Sequence, residues 1–332
     1  MALSPRQLRR ELQHAGIANA AIDAVWPQWW SDDASQSVSA TAELTYTVAR
    51  RLGLSPRALF DGSAQFLWRD DTKFKKLDAR TGDEEAALAS FGIAVGRCAL
   101  GATPPTRFRG DLNVQTLRDI ILGQNRLVSG PELINVCWSL GIPVLQLRVL
   151  PLRQKRMHAM TVRVSDRYAI LLGFESRYFA RIAYILAHEL GHVLLGHLEQ
   201  SDALLEVDDP LVSGSTDAEE TEADRFALKL LTGKEDPRVI SDVPSYSASQ
   251  VADAARTTAT HVNIDPGVLA LCLGHATKKW DRSIGALKII PPGEQNVGEL
   301  INNVAAKQLN FGELSFNNQE YLARILGRDS VA

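Results

Sequence analysis

The stretch YFARIAYILAHELGHVLLGH, residues 178–197, places two imidazoles and a carboxylate within an otherwise apolar helical sequence. Apolar residues on both sides of this polar core predict a helix that is buried in its domain. Burying such polar side chains is costly unless something pairs with them, and a metal ion is a suitable partner. We therefore expect this stretch to form a metal-binding helix.

The spacing of the polar residues assigns a role to each of them. His188 and His192 are four residues apart, so their rings project from one face on successive turns and can share one ion. Glu189 lies about 100 degrees round the helix from His188, where its carboxylate can act as a general base on a water. His197 points away from the histidine face, which predicts a residue that ends the helix or supports a ligand from outside.

A second helix is predicted to supply the third ligand. The run DAEETEADRFALKLL, residues 217–231, has the apolar spacing of an amphipathic helix, and Glu220 and Asp224 share one of its faces. Glu220 can complete the ligand set, and Asp224 can hydrogen-bond a ligating imidazole from behind. Glu219 and Glu222 remain alternatives to Glu220. Two histidines, a glutamate and an open position are typical of a catalytic zinc site, and the same set accepts Mn²⁺ or Fe²⁺.

Short linkers rich in proline, glycine and serine divide the chain into three parts. They predict a helical N-terminal domain at residues 1–103, a domain with the metal site at 104–240 and a helical C-terminal region at 241–332. Within the middle part, a strand is predicted at 142–147 and a hairpin at 160–174. The expected fold class is α+β, with a small and mostly antiparallel sheet.

The N-terminal part contains one fragment that resembles a DNA-binding motif. Residues 47–62, TVARRLGLSPRALFDG, predict a helix, a glycine turn and a second helix that starts at Ser55-Pro56. Residues 1–100 carry 12 Lys and Arg against 12 Asp and Glu, so the basic surface of a DNA reader is missing. This balance favours a packed or partner-binding helical domain over direct contact with nucleic acid.

The overall composition is that of an ordinary globular protein. Lys and Arg total 36 against 39 Asp and Glu, so no general attraction to nucleic acid or to an anionic membrane is expected. Three scattered cysteines argue against a disulfide scaffold and indicate a reducing, cytoplasmic compartment. Neither a signal peptide nor a membrane span is predicted.

The two motifs together resemble a known family. HELGHVLLGH at 188–197, followed by E-x-E-A-D-x-F-A at 220–227, is similar to the ImmA/IrrE family of metallopeptidases, over about residues 105–290. The resemblance implies a zincin-like domain that binds Zn²⁺ through His188, His192 and Glu220, with Glu189 as the catalytic base and Asp224 behind a ligand.

The resemblance also implies a function. The implied activity is that of a gluzincin-like zinc peptidase, often acting inside bacteria on a helix-turn-helix repressor and so switching on stress, mobile-element or defence genes. A protein substrate of this repressor type is therefore expected. The alternative is a metal-binding regulator or transcription factor that binds a partner or DNA without proteolysis.

Three further features leave their interpretation open. An oxyanion donor besides the metal is expected, and the candidates are Tyr178, Tyr184, His158, His261 and His275. The strand at 168–174 could lie at a sheet edge, where an extended substrate would pair with it as an additional strand, or it could be an internal strand. The acidic segment 199–216 is expected to be a loop, either near the cleft or merely a solvated connector.

Overall fold

Helices surround one small mixed sheet, which makes this an α+β protein. The computed structural model describes residues 3–68, 72–74, 82–106, 112–153, 157–207, 209, 217–240, 243–290 and 296–328. The predicted fold class is therefore confirmed at this level, and the finer zincin-like assignment stays a prediction.

In the described N-terminal part, the helices are α1 Pro5–His14, α2 Asn19–Val25, α3 Val38–Leu52, α4 Pro56–Phe60 and α5 Gly82–Gly101. Ser37 and Ser55 cap the starts of α3 and α4 by accepting from backbone amides, as serine does at helix N-termini. Between these helices, Gly53 has a φ of 69°, and a Cβ there would meet the Ser90 carbonyl oxygen at 2.3 Å. The predicted helix–turn–helix is present, but α4 is only five residues long.

Among the described residues, the sheet has five short strands: β1 Thr72–Phe74, β2 Val144–Gln146, β3 Ala159–Val164, β4 Arg167–Leu172 and β5 Ala203–Glu206. Their order is β1-β5-β3-β4-β2. The β5–β3 and β3–β4 pairings are antiparallel, whereas β1–β5 and β2–β4 are parallel. The prediction of a mostly antiparallel sheet is therefore wrong, because both outer strands pair in parallel. The chain between β1 and β5, and that between β2 and β4, is long enough for the second strand to run in the same direction as the first.

The hairpin of β3 and β4 turns at Ser165 and Asp166, where Ser165 takes a φ of 56°. This confirms the predicted hairpin. The strand β4 lies between β3 and β2, and every residue after Arg167 is buried. The alternative of an internal strand is therefore correct, and β4 cannot add a substrate strand because both of its edges are paired.

Four helices are described in the middle of the chain: α6 Val114–Gln124, α7 Gly130–Ser139, α8 Phe179–Leu194 and α9 Ala218–Thr232. Of these, α7 and α8 contact the sheet, and α9 packs against α8. On one face, α5 approaches β3 closely, since a Cβ on Gly92 would meet the Met160 side chain and one on Gly96 would meet Val162. The intervening residue Thr161 points to the opposite face and contacts α8. The sheet is thus covered by helices on both sides.

The described residues from 243 onward form the helices α10 Ala248–Val262, α11 Pro266–Thr277, α12 Trp280–Leu287, α13 Val297–Gln308 and α14 Phe316–Ile325. The α13 residue Asn302 protects the outer edge of β2, because its side chain accepts from Gln146 N at 2.9 Å and donates to Gln146 O at 2.8 Å. Among the helices that are described, none is long and apolar enough to cross a membrane.

Candidate metal centre

The two helices predicted to carry the site pack directly against each other. Gly191 of α8 makes this close approach possible, since a Cβ there would lie 3.3 Å from the Ala223 Cα and 3.2 Å from the Phe226 ring. Asp217 caps the start of α9 by accepting from the amides of Glu219 and Glu220. The histidine face of α8 and the first turn of α9 therefore meet.

The three predicted ligands have their nitrogen and oxygen atoms close together. His188 Nε2 and His192 Nε2 are 3.0 Å apart. The Glu220 carboxylate bridges them, with Oε2 3.4 Å from His188 Nε2 and Oε1 3.3 Å from His192 Nε2. Two ligands of one tetrahedral zinc lie about 3.3–3.4 Å apart when each bond is about 2.0–2.1 Å. The separations therefore fit a single zinc ion.

A chain of polar contacts orients the ring of His188. Its Nδ1 lies 2.9 Å from Asp224 Oδ1, and the Tyr184 hydroxyl donates to the same oxygen at 2.7 Å. With its proton on Nδ1, the imidazole donates to Asp224 and turns Nε2 toward the other ligands. The structure thus places Asp224 behind the His188 ring, on the side away from the other two ligands.

His197 supports the second histidine. It follows the end of α8, is buried, and its Nδ1 lies 2.8 Å from His192 Nδ1. Its other nitrogen lies 3.2 Å from Glu222 Oε2. Glu222 thus pairs with His197, and the candidate cluster found among the described residues includes Glu220 but neither Glu222 nor Glu219. Of the three glutamates considered as third ligand, the geometry favours Glu220.

Glu189 is fully buried on the side of α8 that faces the sheet. Its Oε2 accepts a hydrogen bond of 2.6 Å from the Thr161 hydroxyl on β3. The metal-suited cluster does not include it. This arrangement leaves Glu189 beside the ligands rather than among them, as a general base requires.

The structure adds one residue that sequence reasoning missed. Glu206, the last residue of β5, has its Oε1 4.0 Å from His192 Nε2. Ligand atoms of His188, His192, Glu206 and Glu220 all lie within 4.8 Å of one another. The expectation of a loop over 199–216 is wrong at this point, since the strand occupies part of it; residues 208 and 210–216 lie outside the described part. The available signal was the apolar run Ala-Leu-Leu directly before the glutamate.

Buried opposite charges control the protonation of the metal-free site. Burial by itself lowers the pKa of His188, but hydrogen bonds to Asp224 and Glu220 outweigh it and raise that pKa to about 10. Burial tends to raise the pKa of Glu220, but the bonds to His188 and His192 hold it well below its ordinary value. Three buried carboxylates, those of Glu189, Glu206 and Glu220, thus surround two imidazoles, which is an environment suited to a cation.

The structure separates the five candidate oxyanion donors. The Tyr184 hydroxyl is engaged with Asp224, and the His158 ring stacks on Phe174 at 4.7 Å between centroids. His275 borders a cavity of about 110 Å³ that Tyr184 and Asp224 also line. His261 is exposed on α10, and Tyr178 directly precedes the first residue of α8. Tyr184 and His275 are thus on the Asp224 side of the site.

Residues 158–264 match a family model described as Peptidase U49. The matched region runs from β3 to α10 and contains all four residues of the cluster as well as Glu189. It supports a proteolytic function and indicates a peptidase family, whereas the ImmA/IrrE resemblance stays a prediction. A search among curated proteins finds no match to the chain.

Proposed function

We propose that the protein is a zinc-dependent endopeptidase. One observation carries the proposal: His188, His192 and Glu220 have ligand atoms 3.0–3.4 Å apart, as one tetrahedral zinc requires. The peptidase match over the same region supports hydrolysis of peptide bonds as the reaction. The HExxH order, with Glu189 between the two histidines, supports the same class.

In this mechanism, His188, His192 and Glu220 hold the metal. When bound, zinc supplies a Lewis acid that lowers the pKa of water to about 7 and polarises a carbonyl. Glu189 takes the proton of the attacking water at its carboxylate and passes it to the leaving amine. No nucleophilic side chain is needed.

Other residues position these groups. Thr161 donates to Glu189 Oε2 and so fixes the rotation of the carboxylate. Asp224, with Tyr184 behind it, fixes the tautomer and the orientation of His188. His197 plays the corresponding part for His192.

We propose further, from the resemblance, that the enzyme works in the cytoplasm on a DNA-binding repressor. Cleavage of such a protein would release transcription in a stress, mobile-element or defence response. This part of the proposal depends on the ImmA/IrrE resemblance of 188–197 and 220–227 and is tested separately from the metal site.

The metal assignment is tested by mass spectrometry of the purified protein. Wild type should hold about one zinc, His188→Ala and Glu220→Ala should lose it, and Glu189→Gln should keep it. If wild type binds no divalent metal after reconstitution, the proposed function is wrong. If Glu220→Ala binds zinc as tightly as wild type, the third ligand is another residue.

The substrate is then sought with Glu189→Gln as a trap, since this variant should bind protein without cutting it. Proteins that it captures and that wild type cleaves are substrates, and His188→Ala is the control for capture without a metal. A captured DNA-binding protein that wild type cuts at one bond would support the repressor proposal. Capture without cleavage by zinc-loaded wild type would favour the regulator alternative.

A further inference from the structure

Glu206 is directed toward the metal site by the pairing of β5 with β3. In this register, Ala159 lies opposite Glu206 and Thr161 lies opposite Leu204. Paired residues share a face of the sheet, so Glu206 lies on the same face as Thr161, which contacts Glu189 on α8. The Glu206 carbonyl also accepts from His158 N at 2.8 Å. The strand therefore holds this carboxylate on the face that α8 covers.

The position of the carboxylate suits a metal ligand. Its Oε1 lies 4.0 Å from His192 Nε2, about 0.7 Å beyond the separation expected for two ligands of a tetrahedral zinc. The terminal torsion angle of a glutamate side chain has a broad distribution, so rotation about this bond moves a carboxylate oxygen by such a distance at little cost in energy. A ligand atom of Glu206 already lies within 4.8 Å of those of His188, His192 and Glu220.

The charge balance favours the same role. Glu206 and Glu220 are both buried, with 6% and 3% of their surface exposed, against two histidines that are neutral as metal ligands. A divalent cation held by both carboxylates balances their charge, which burial would otherwise penalise. Glu189 is buried too, but Thr161 turns it toward β3.

We infer that Glu206 is a fourth protein ligand of the metal and closes the site in the resting protein. The inference rests on the proposed function, because it takes the ion to be held by His188, His192 and Glu220. Catalytic zinc sites keep a coordination position open, whereas four protein ligands make a closed site. Glu206 therefore occupies the position that a substrate carbonyl or a water needs at the metal, and it must leave as the substrate binds.

Cobalt(II) replaces zinc in such sites and reports its ligands through visible absorption, and azide is a small anion that binds only where a position is open. The experiment titrates azide into cobalt-loaded wild type, Glu206→Gln and Glu206→Ala. The wild-type spectrum should not change, whereas both variants should shift as azide binds. Zinc affinity, measured by chelator competition, should fall at least about 10-fold in both variants, because even the loss of a residue that only hydrogen-bonds a metal ligand lowers the affinity by that factor.

Two controls separate Glu206 from other carboxylates. Glu189→Gln removes a buried carboxylate next to the cluster, and Glu199→Gln removes an exposed one in the same chain segment. The visible spectra of both cobalt-loaded variants should stay unchanged when azide is added, as is expected of wild type. Wild type provides a test that needs no variant to fold, since an azide shift in wild type shows an open position and overturns the inference.

The outcomes distinguish the two proposals. If wild type binds cobalt and zinc but responds to azide, Glu206 is not a ligand, and the proposed function is unaffected. Equal zinc affinity in wild type and Glu206→Gln overturns the inference in the same way. If wild type binds neither metal, the proposed function itself fails and the inference fails with it.

Discussion

Asp224 should set the zinc affinity of the site through His188. It accepts from the His188 ring and from the Tyr184 hydroxyl at one oxygen. Asp224→Asn places an amide there, which is uncharged and no longer stabilises the required tautomer. We expect zinc affinity to fall about 10–100-fold in chelator competition. Tyr184→Phe keeps the Asp224–His188 contact and should lose less zinc affinity than Asp224→Asn. An equal loss of zinc affinity in both variants would contradict this order.

Thr161 should act on catalysis without affecting the metal. Its hydroxyl is the donor to Glu189 Oε2, at 2.6 Å in a fully buried environment. Thr161→Val keeps the shape and removes the donor, and a hydrogen bond to a charged group contributes about 1.5–3 kcal/mol. We expect a roughly 10-fold or greater fall in kcat on the trapped substrate, with zinc content unchanged. Thr161→Ser retains the hydroxyl, so its kcat should stay near that of wild type. An unchanged kcat in Thr161→Val would show that Thr161 does not contribute to catalysis.

Site residues could be grouped from the sequence where they lie on the same helix, close together along the chain. His188 and His192 are four residues apart, and so are Glu220 and Asp224, so each pair is separated by about one helical turn and helical spacing was sufficient to group them. Thr161 and Glu206 reach the site through strand pairing over more than 40 residues of sequence. No local pattern states which strand pairs with which, so neither residue could be assigned.

At the scale of helices, the contact between α8 and α9 depends on Gly191. A Cβ at this position would press on the Ala223 backbone and the Phe226 ring at 3.2–3.3 Å. Gly191→Ala should therefore push the helices apart, and overpacking of this kind costs about 1–3 kcal/mol. We expect a lower melting temperature of the metal-free protein and weaker zinc binding, because Glu220 moves away from the histidines.

A matched control exists on α6. A Cβ on Gly123 would meet nothing within 4 Å. Gly123→Ala should therefore be neutral or stabilising, by about 0.5–1 kcal/mol, since alanine favours the helix. Thermal unfolding of both variants tests the pair. A Gly191→Ala protein that melts like Gly123→Ala would show that the close approach does not limit stability.

The elements were predictable where they are long or locally paired. The helices α8 and α9 carry a full apolar repeat, and the β3–β4 hairpin needs only a short turn. By contrast, β2 has three residues and no room for a periodic pattern, and its parallel partner β4 follows after the intervening β3. The direction of such pairings depends on the whole fold, which is why the sheet was wrongly expected to be mostly antiparallel.

At the scale of the whole molecule, the N- and C-terminal helices share one hydrophobic core with the sheet. The core cluster runs without interruption from residues of α1 to residues of α14. Polar contacts reinforce it, since Tyr321 donates to the Arg51 carbonyl at 2.8 Å and Arg324 donates to the Trp26 carbonyl at 2.6 Å. We therefore expect one cooperative transition in calorimetry. Two resolved transitions would instead support independent folding on either side of the predicted boundary at residue 103.

The pH dependence of stability should differ between the metal-free and the zinc-loaded molecule. In the metal-free form, the pKa of His188 is raised from 6.5 to about 10, so the protonated ring stabilises the fold. That contribution is complete below pH 6.5 and is lost as the pH rises toward about 10. The lowered pKa of Glu220 acts in the opposite direction, and its contribution is lost only as the pH falls below about 4.5. The melting temperature of the metal-free protein should therefore decline from pH 6.5 to 9.5.

Zinc must displace the His188 proton, so its affinity should rise by about tenfold per pH unit for each proton released. At fixed free zinc, the gain in melting temperature over the metal-free protein should accordingly increase with pH, because ligand stabilisation grows with the ratio of free zinc to its Kd. Melting curves with zinc and with chelator from pH 6 to 9.5 measure both trends. His188→Gln cannot bind the proton and should remove the decline in the metal-free protein; an unchanged decline in this variant would place its origin elsewhere in the molecule.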